Sequence, residues 1–559
     1  MAGALQTDFG NDLYFLPLGG SEQFGVNLNV YLCDGDLLAI DCGIGFADER
    51  FPGIDLLLPD PEFLETYQDD LKGMIITHAH EDHIGAVAYL WSRFKCPLYA
   101  TRFTAEVLRK KLEEQNLRDV PVNVIDPDET FSLGAFEVQA LPVSHSVPES
   151  VSLLIKTQYG NLLHSGDWNL DPAPTIGEAT DKAAFKAAGD TGILAYIGDS
   201  TNAEVDGYSG SEGDVAKGLE AEFEEHHGKI LVTIFSSNIG RIHSIAKAAQ
   251  ACDRQVAVIG RSLHRMIGCA KACGYLNDVP DFVGEDDIGY IPDDKLLVIA
   301  TGSQGEYRAA LARIARGDHR SLSLKRGDTV IFSSRAIPGN EREINNVKNN
   351  LSASGVKVIT PRDTEHKIHV SGHPCRDEIA QMLQWLKPQC VIPVHGERMQ
   401  LQAHAKFAQS CQVKHTVVPN NGSLIKLSGG IPEIVDHVQS DVLAVDQKRV
   451  IKSDHQSIAA RRKLQYTGTL HVSLVLDKGG ALLAPPQFES VGLIDVDNPG
   501  EDQIEDNIAL EIEGLLDDMT RSELCDDHFV SEELRIGLRR FCFHVLGIKP
   551  KTTIHVLRI

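Results

Sequence analysis

"MIITHAHEDHIGAV", residues 74–87, packs three histidines and two carboxylates into six consecutive positions directly behind an apolar run. The run is strand-length, and an extended chain points alternate side chains the same way, so His78 and His80 can face one spot. Asp82 and His83 follow where the chain turns into a helix expected to begin near Gly85. Four candidate ligands on one turn suit two metal ions better than one, because a single tetrahedral ion needs a tighter arrangement than adjacent Asp and His allow. The stretch predicts a strand tip that carries part of a dinuclear centre; the competing reading is a polar surface loop.

The same rhythm surrounds it. Over the first two hundred or so residues, "NVYLCDGDLLAIDCG", "CPLYA", "FEVQALPVSHS", "VSLLIKTQYGNLLHSGD" and "ILAYIGDS" are strand-length, and several end in Asp or His beside Gly, Ser or Asn. From about Ser211 the pattern becomes strand then helix: "KILVTIFSSNIGRIHSIAKAAQ", "QVAVIGRSLHRMIGCAKAC", "KLLVIATGSQGEYRAALARIA", "DTVIFSSRAIPGNEREINNV". Four βα units predict a parallel sheet covered by helices, with ligands at the carboxyl ends of its strands. The first architecture resumes in "KIHVSGHPCRDEIAQMLQWLKPQCVIPVHGE". The expected division is a host domain of residues 1–207 and 366–445, an insertion at 208–365, a polar linker at 446–465 and a small C-terminal α+β domain at 466–559. In that last part the pattern predicts a strand pair near "TLHVSLVLDKGGALLAP", an acidic helix over residues 502–519, a helix capped by Ser531 and a final strand "TTIHVLRI".

Composition bounds the function. At 559 residues the chain exceeds a single core, and two to four folding units are expected. Its 53 basic and 79 acidic residues give a formal charge of −26, which argues against adhesion to nucleic acid or anionic lipid through bulk electrostatics. A nucleic-acid substrate would need a locally basic groove or metal ions. The 11 cysteines form no Cys-x-x-Cys pair and read as reduced, buried small hydrophobes. No apolar run is long enough to cross a bilayer, and the start carries no basic-then-apolar leader, so a cytoplasmic protein with no membrane association is expected.

With later single ligands on other strand tips, the opening motif resembles the metallo-β-lactamase superfamily, an αββα sandwich. His145 in "LPVSHSVPES" matches the third histidine of the first metal site, and Asp167 in "LLHSGDWN" the carboxylate that bridges both ions. Asp41, ending "LLAID", matches an acid that orients the ligand loop without binding metal. The inserted α/β segment narrows the resemblance to the β-CASP branch, and "GDSTNA", "GRS", "ATGSQGE", "VIFSSRAIPGNE", "HVSGH" and "PVHGE" look most like ribonuclease J. Asp199, His373 and His395 fit that branch's later acid and two histidines in order. The resemblance spans roughly residues 13–427; Ala79 stands where glycine is frequent in the family.

The resemblance implies one ion held by His78, His80, His145 and Asp167, and another by Asp82, His83, Asp167 and His395. The imidazole and carboxylate mixture suits two zinc ions per subunit, with manganese or magnesium as alternatives. Ions ~3.5 to 4 Å apart can brace phosphoryl oxygens during in-line displacement. The expected catalytic residues are Asp82, Asp199 and His373, the last facing the scissile phosphate with Asp199 as partner. Helix-preceding Ser/Gly clusters suggest a pocket for a terminal 5′ phosphate, with Ser236, His369, Ser371, Gly372 and His373 as contacts; each cluster alone could be a routine helix cap. Arg241, Arg261, His264, Arg265, Arg308, Arg335 and Arg342 supply cations for a strand channel. The implied activity is an exoribonuclease running 5′ to 3′ from monophosphorylated single-stranded RNA, also endonucleolytic and leaving 5′ phosphates, in RNA maturation and decay. A homodimer or homotetramer goes with it. Alternatives are a β-CASP nuclease acting mainly on DNA, a hydrolase of small esters or lactams, and a non-catalytic RNA-binding scaffold; the intact ligand set speaks against the last.

Overall fold

The computed structural model describes residues 10–337, 339–495, 498 and 501–559. They fall into two compact units: one runs to Phe46 and then over Leu56–Leu443, the other joins Ala47–Asp55 to Ala444–Ile559.

The first unit contains a sandwich of two sheets. One has eight strands, in the order Glu433–His437, Ser423–Lys426, Leu13–Gly19, Leu28–Cys33, Asp36–Ile40, Leu71–Ile76, Leu98–Ala100, Val122–Val124. The other has seven, ordered Thr130–Leu133, Phe136–Pro142, Val151–Thr157, Gly160–His164, Ile193–Asp199, Cys390–Val394, His415–Thr416. Between them lies a core in which Phe15, Tyr31, Ile40 and Ile75 from one sheet meet Val138, Leu153, Ile197 and Ile392 from the other. The helices Lys182–Asp190 and Arg376–Leu386 bury Phe185, Ile379 and Met382 in a second cluster with Leu154, Leu163 and Tyr196. Strands enclosed on both faces have no polar side to alternate with, which is why Leu13–Gly19 reads as a continuous apolar run; it and Leu28–Cys33, Asn29 included, are buried throughout.

The inserted segment forms the parallel sheet that the βα rhythm predicts. Its order is Gln255–Ile259, Leu296–Ala300, Ile230–Thr233, Thr329–Phe332, Lys357–Ile359, five strands where four βα units are legible. The fifth, three residues long with Lys357 exposed, is too short and too polar to announce itself.

In the second unit Gln487–Val491, Thr469–Leu476 and Lys551–Arg558 make a three-stranded sheet. Leu470, Val472, Leu474 and Leu476 alternate onto the buried face and pack with Ile508 and Ile512 of the helix Asp502–Asp517 and with Val530, Leu534 and Leu538 of the helix Asp527–Leu546. Two readings need correction here. The longer helix is capped by Asp526, whose side chain accepts from the His528 and Phe529 amides, and Ser531 lies inside its first turns. Residues 446–465, expected as a linker, carry the strand Arg449–Lys452 and most of the helix Gln456–Thr467; that helix buries Ile458 and ties Arg461 to Asp446 at 2.8 Å. No helix among the described residues is long and apolar enough to cross a membrane.

Strand register sets the site. Ile40 pairs with Ile75 in the first sheet, so Asp41 and the segment after Ile76 leave the sheet side by side. In the second, Gly160–His164, Ile193–Asp199 and Cys390–Val394 run parallel, with Asp199 opposite Val394. Asp167, Asp199 and His395 therefore emerge at one edge of the sandwich.

Candidate metal centre

The helix after the opening motif starts at Glu81, earlier than expected, with His80 in extended geometry as its N-cap residue. Asp82 and His83 thus sit in a first helical turn while His78 and His80 remain on the strand exit. Gly43 is what lets this turn approach the sheet: a Cβ there would stand 1.6 Å from the Asp82 carbonyl oxygen.

Distant strand tips converge on this turn. His78, His80, His145 and Asp167 present one ligand atom each, all within 4.8 Å of one another, and so do Asp82, His83, Asp167 and His395. In the first group His80 Nδ1 lies 3.1 Å from His78 Nε2 and 3.0 Å from His145 Nε2, and Asp167 Oδ2 is 3.6 and 3.8 Å from the latter two atoms. In the second, His83 Nε2 and His395 Nε2 stand 3.3 and 3.5 Å from Asp167 Oδ2, and 3.6 and 3.7 Å from Asp82 Oδ2. Ligand atoms ~2.0 to 2.2 Å from a tetrahedral ion are separated by roughly 3.3 to 3.6 Å, so both groups have the span of a single coordination shell. Asp167 also shows that something is needed there: both its oxygens are buried with no hydrogen-bond partner. A buried carboxylate without donors is costly, and a divalent cation is what this donor set fits.

The other ring nitrogens are held in ways that aim these ligands. His83 Nδ1 donates to Asp41 Oδ2 at 2.7 Å, and His395 Nδ1 to Asn27 Oδ1 at 3.0 Å. His145 Nδ1 donates to the Gly372 carbonyl at 2.7 Å; His78 Nδ1 lies 3.0 Å from Thr77 Oγ1, and His80 Nε2 3.3 Å from Ser146 Oγ. Asp41 accepts further bonds from the Thr77 amide and hydroxyl, which fits the orienting part expected of it. Asp41 and His395 hold φ of +62° and +55°, left-handed conformations that tertiary contacts must maintain. Asn27, Thr77 and Ser146 are absent from the sequence reading. Thr77 adjoins the motif and could have been suspected; Asn27 lies far from any ligand in sequence.

Burial drives His80 and His145 down to about 3 and His78 well below its ordinary range, so each offers a free lone pair at neutral pH. His83 differs: burial opposes its charge, but Asp167, Asp82 and Asp41 outweigh it, and that proton must leave before Nε2 can ligate. Asp167 stays ionised against its burial because His395, His83 and His373 surround it.

His373 lies on the loop before the helix Arg376–Leu386, two residues ahead of its N-cap, Cys375. Its Nδ1 meets Asp199 Oδ2 at 2.8 Å and Asp167 Oδ2 at 3.7 Å, and its ring stacks on His395 with centroids 5.6 Å apart. Burial disfavours its charge, yet Asp199 and Asp167 lift it to about 9. The other Asp199 oxygen accepts from the Thr201 amide and hydroxyl, which fixes the carboxylate. With a side chain 23% exposed against 0 to 7% for His78, His83, His145 and His395, His373 stands at the open rim.

The candidate phosphate contacts are less uniform. Ser371 Oγ accepts from Asn202 Nδ2 at 2.8 Å and from the His373 amide, so Ser371, Gly372 and His373 form one tied loop beside the ligands. Ser236 follows the strand Ile230–Thr233 and is half-buried. His369, lowered to about 3 by burial and by Arg241 and Arg335, is neutral. The further Ser/Gly cluster in "ATGSQGE", Thr301–Gly305, reads from sequence as helix-preceding but does not directly precede a helix, since the next one is Ala310–Ala315. Arg241 is no channel cation: it is fully buried, bonds Glu212 at 2.6 and 2.8 Å, and donates to Ser333. Arg265 pairs with Glu114 and Glu81, and Arg335 donates to Asn202 Oδ1 at 2.7 Å. Arg261, His264, Arg308 and Arg342 remain exposed.

A two-sheet sandwich whose strand tips gather two such ligand groups around a shared carboxylate has the build of a metal-dependent hydrolase with a two-ion centre. Family models agree: residues 38–187 match a β-lactamase superfamily domain, 227–351 the β-CASP domain of ribonuclease J, and 362–419 a Zn-dependent metallo-hydrolase RNA specificity domain. Ribonuclease J of Sinorhizobium meliloti is 40% identical over 553 residues, 98% of this chain and 98% of that one. The Synechocystis enzyme is 36% identical (86% and 76% covered) and that of Thermus thermophilus 35% (82% and 81%). A crystal structure of a protein of unknown function from Enterococcus faecalis shares the fold, with a TM-score of 0.53 at 14% identity over 74% of this chain and all of that one. The chain belongs to the ribonuclease J family of metal-dependent nucleases, as its motifs imply.

Proposed function

We propose that this chain hydrolyses phosphodiester bonds of single-stranded RNA, running 5′ to 3′ from monophosphorylated ends and also cutting internally. The observation that carries the reading is the His373–Asp199 pair, placed against two ligand groups that share Asp167. His78, His80, His145 and Asp167 would hold one divalent cation and Asp82, His83, Asp167 and His395 another, and such ions would supply Lewis-acid charge beside the phosphate and a more acidic water. The protein's own residues do the rest. Asp41, Asn27 and the Gly372 carbonyl fix ring orientations. Asp199 keeps His373 charged, so that Nε2–H can neutralise the developing phosphorane charge and protonate the departing 3′ oxygen as the P–O3′ bond breaks. The water oxygen stays on phosphorus, which leaves a 5′ phosphate on the downstream product.

Ser236, His369, Ser371 and Gly372 are proposed to hold a terminal 5′ phosphate, and the exposed Arg261 and Arg342 to line the strand's path. The protein acts in the cytoplasm, in RNA maturation and decay, as a homodimer or homotetramer. The names of its relatives and the match to an RNA specificity domain favour RNA over DNA. The test gives zinc- or manganese-loaded protein matched single-stranded RNA and DNA with 5′ monophosphate, triphosphate or hydroxyl ends. Mononucleotide release chiefly from monophosphorylated RNA is expected, abolished by Asp167→Asn. Equal attack on all ends would remove the phosphate pocket, and a preference for DNA would overturn the substrate.

A further inference from the structure

Glu149 lies four residues beyond His145, on the same loop, in a left-handed conformation with φ of +60°. A non-glycine residue holds that geometry only where its surroundings impose it. Three bonds do so: the Phe103 amide donates to Oε2 at 2.7 Å, Thr101 Oγ1 to the Glu149 carbonyl at 2.9 Å, and the Tyr275 hydroxyl to Oε1 at 2.8 Å. The first two come from the segment that matches the β-lactamase superfamily domain, as does Glu149 itself; Tyr275 comes from the β-CASP match. The Tyr275 ring meets Phe103 edge-on, centroids 6.1 Å apart, so the hydroxyl is aimed by packing. A weaker counterpart lies on the same β-CASP stretch. Arg265 Nη2 is 3.5 Å from Glu81, between His80 and Asp82, but Lys111 already holds that carboxylate at 2.6 Å.

We propose that Tyr275 is a positioning residue for the ion held by His78, His80, His145 and Asp167: through Glu149 the inserted domain fixes the loop that presents His145. The proposal rests on the dinuclear reading above. It makes the two ion sites unequal, because the Tyr275–Glu149 bond reaches the His145 loop alone.

The test follows zinc release from the full-length, zinc-loaded chain into excess chromogenic chelator. Tyr275→Phe removes one hydroxyl and keeps the ring. One of two ions should leave roughly 3- to 10-fold faster, below the tenfold to hundredfold typical of groups that touch a ligand directly, while the other is unchanged. In a Glu149→Ala background the same substitution should add nothing. Arg102→Gln, which removes the neighbouring bond to the Ala272 carbonyl across the same boundary, should leave release as in the wild type. Release curves that coincide for wild type and Tyr275→Phe, or an Arg102→Gln chain that loses zinc as fast, would overturn the proposal. A wild-type chain that binds fewer than two ions would instead remove the dinuclear reading beneath it.

Discussion

Asp41→Asn isolates the orienting carboxylate, because it keeps shape and volume while replacing one acceptor by a donor. Every group facing Asp41 is a donor: the Thr77 amide reaches Oδ1 at 2.8 Å, and Oδ2 takes the Thr77 hydroxyl at 2.9 Å and His83 Nδ1 at 2.7 Å. With the amide oxygen left on the Thr77 amide, the new NH2 confronts His83 Nδ1–H. Either a donor stays unpaired at a site 1% exposed, at about 1 to 3 kcal/mol, or His83 moves its proton to Nε2. The second escape places N–H where the lone pair should face the ion, 3.3 Å from Asp167 and 3.6 Å from Asp82. Losing such a supporting group costs about 10- to 100-fold in metal affinity, or about 1.4 to 2.7 kcal/mol, the same size as the unpaired donor. Chelator competition with a metal count should therefore show one ion weakened by that factor and the other retained. Two ions bound with wild-type affinity would refute the claim that Asp41 sets the His83 tautomer.

Three further outcomes follow from the same contacts. His373→Gln should slow single-turnover cleavage of monophosphorylated RNA by roughly 10²- to 10⁴-fold while both ions remain bound, and full-speed cleavage would remove His373 from the chemistry. Gly372→Ala places a Cβ 2.8 Å from His145 Cε1 and 2.9 Å from Nδ1, so the ring must turn and the first ion should bind more weakly in the same competition assay, with the second untouched. Arg241→Met leaves the Glu212 carboxylate in a buried site without its cation, and urea unfolding should report a loss of about 3 to 5 kcal/mol; a loss under ~1 kcal/mol would refute a structural role for the pair.

Much of the centre was legible because metal ligation leaves dense local marks. His78, His80, Asp82 and His83 cannot be explained by packing or by turn chemistry, and single ligands at later strand ends gain meaning from that cluster. The supporting contacts leave no such mark. Asn27 meets His395 across 368 residues, and the partner that holds His145 is a backbone carbonyl, which any residue at position 372 would carry. Fold followed the same division: strand-length apolar runs and the βα rhythm predicted the host strands and the inserted sheet, while the sandwich was implied by the family resemblance of the motifs. The strand Lys357–Ile359 and the cap at Asp526 depend on pairing and local geometry that periodicity does not encode.

The arginines show why position alone misleads. A cation just past a parallel strand can serve a ligand or the chain itself, and the two uses have the same sequence signature. What separates them is whether an anion of the same chain reaches it. Glu212 stands at the start of a helix 29 residues before Arg241 and closes a two-point bond with it, which spends the charge on holding helices together beneath the loops at Ser333 and His369. A buried, neutralised pair there contributes little long-range field, but it fixes the loops that would meet a phosphate. In the function proposed above, specificity for a charged end would then rest on exposed cations such as Arg261 and Arg342. On that proposal a chain with a formal charge of −26 would handle a polyanion through ions and a few local cations, with its bulk charge opposing every other mode of contact.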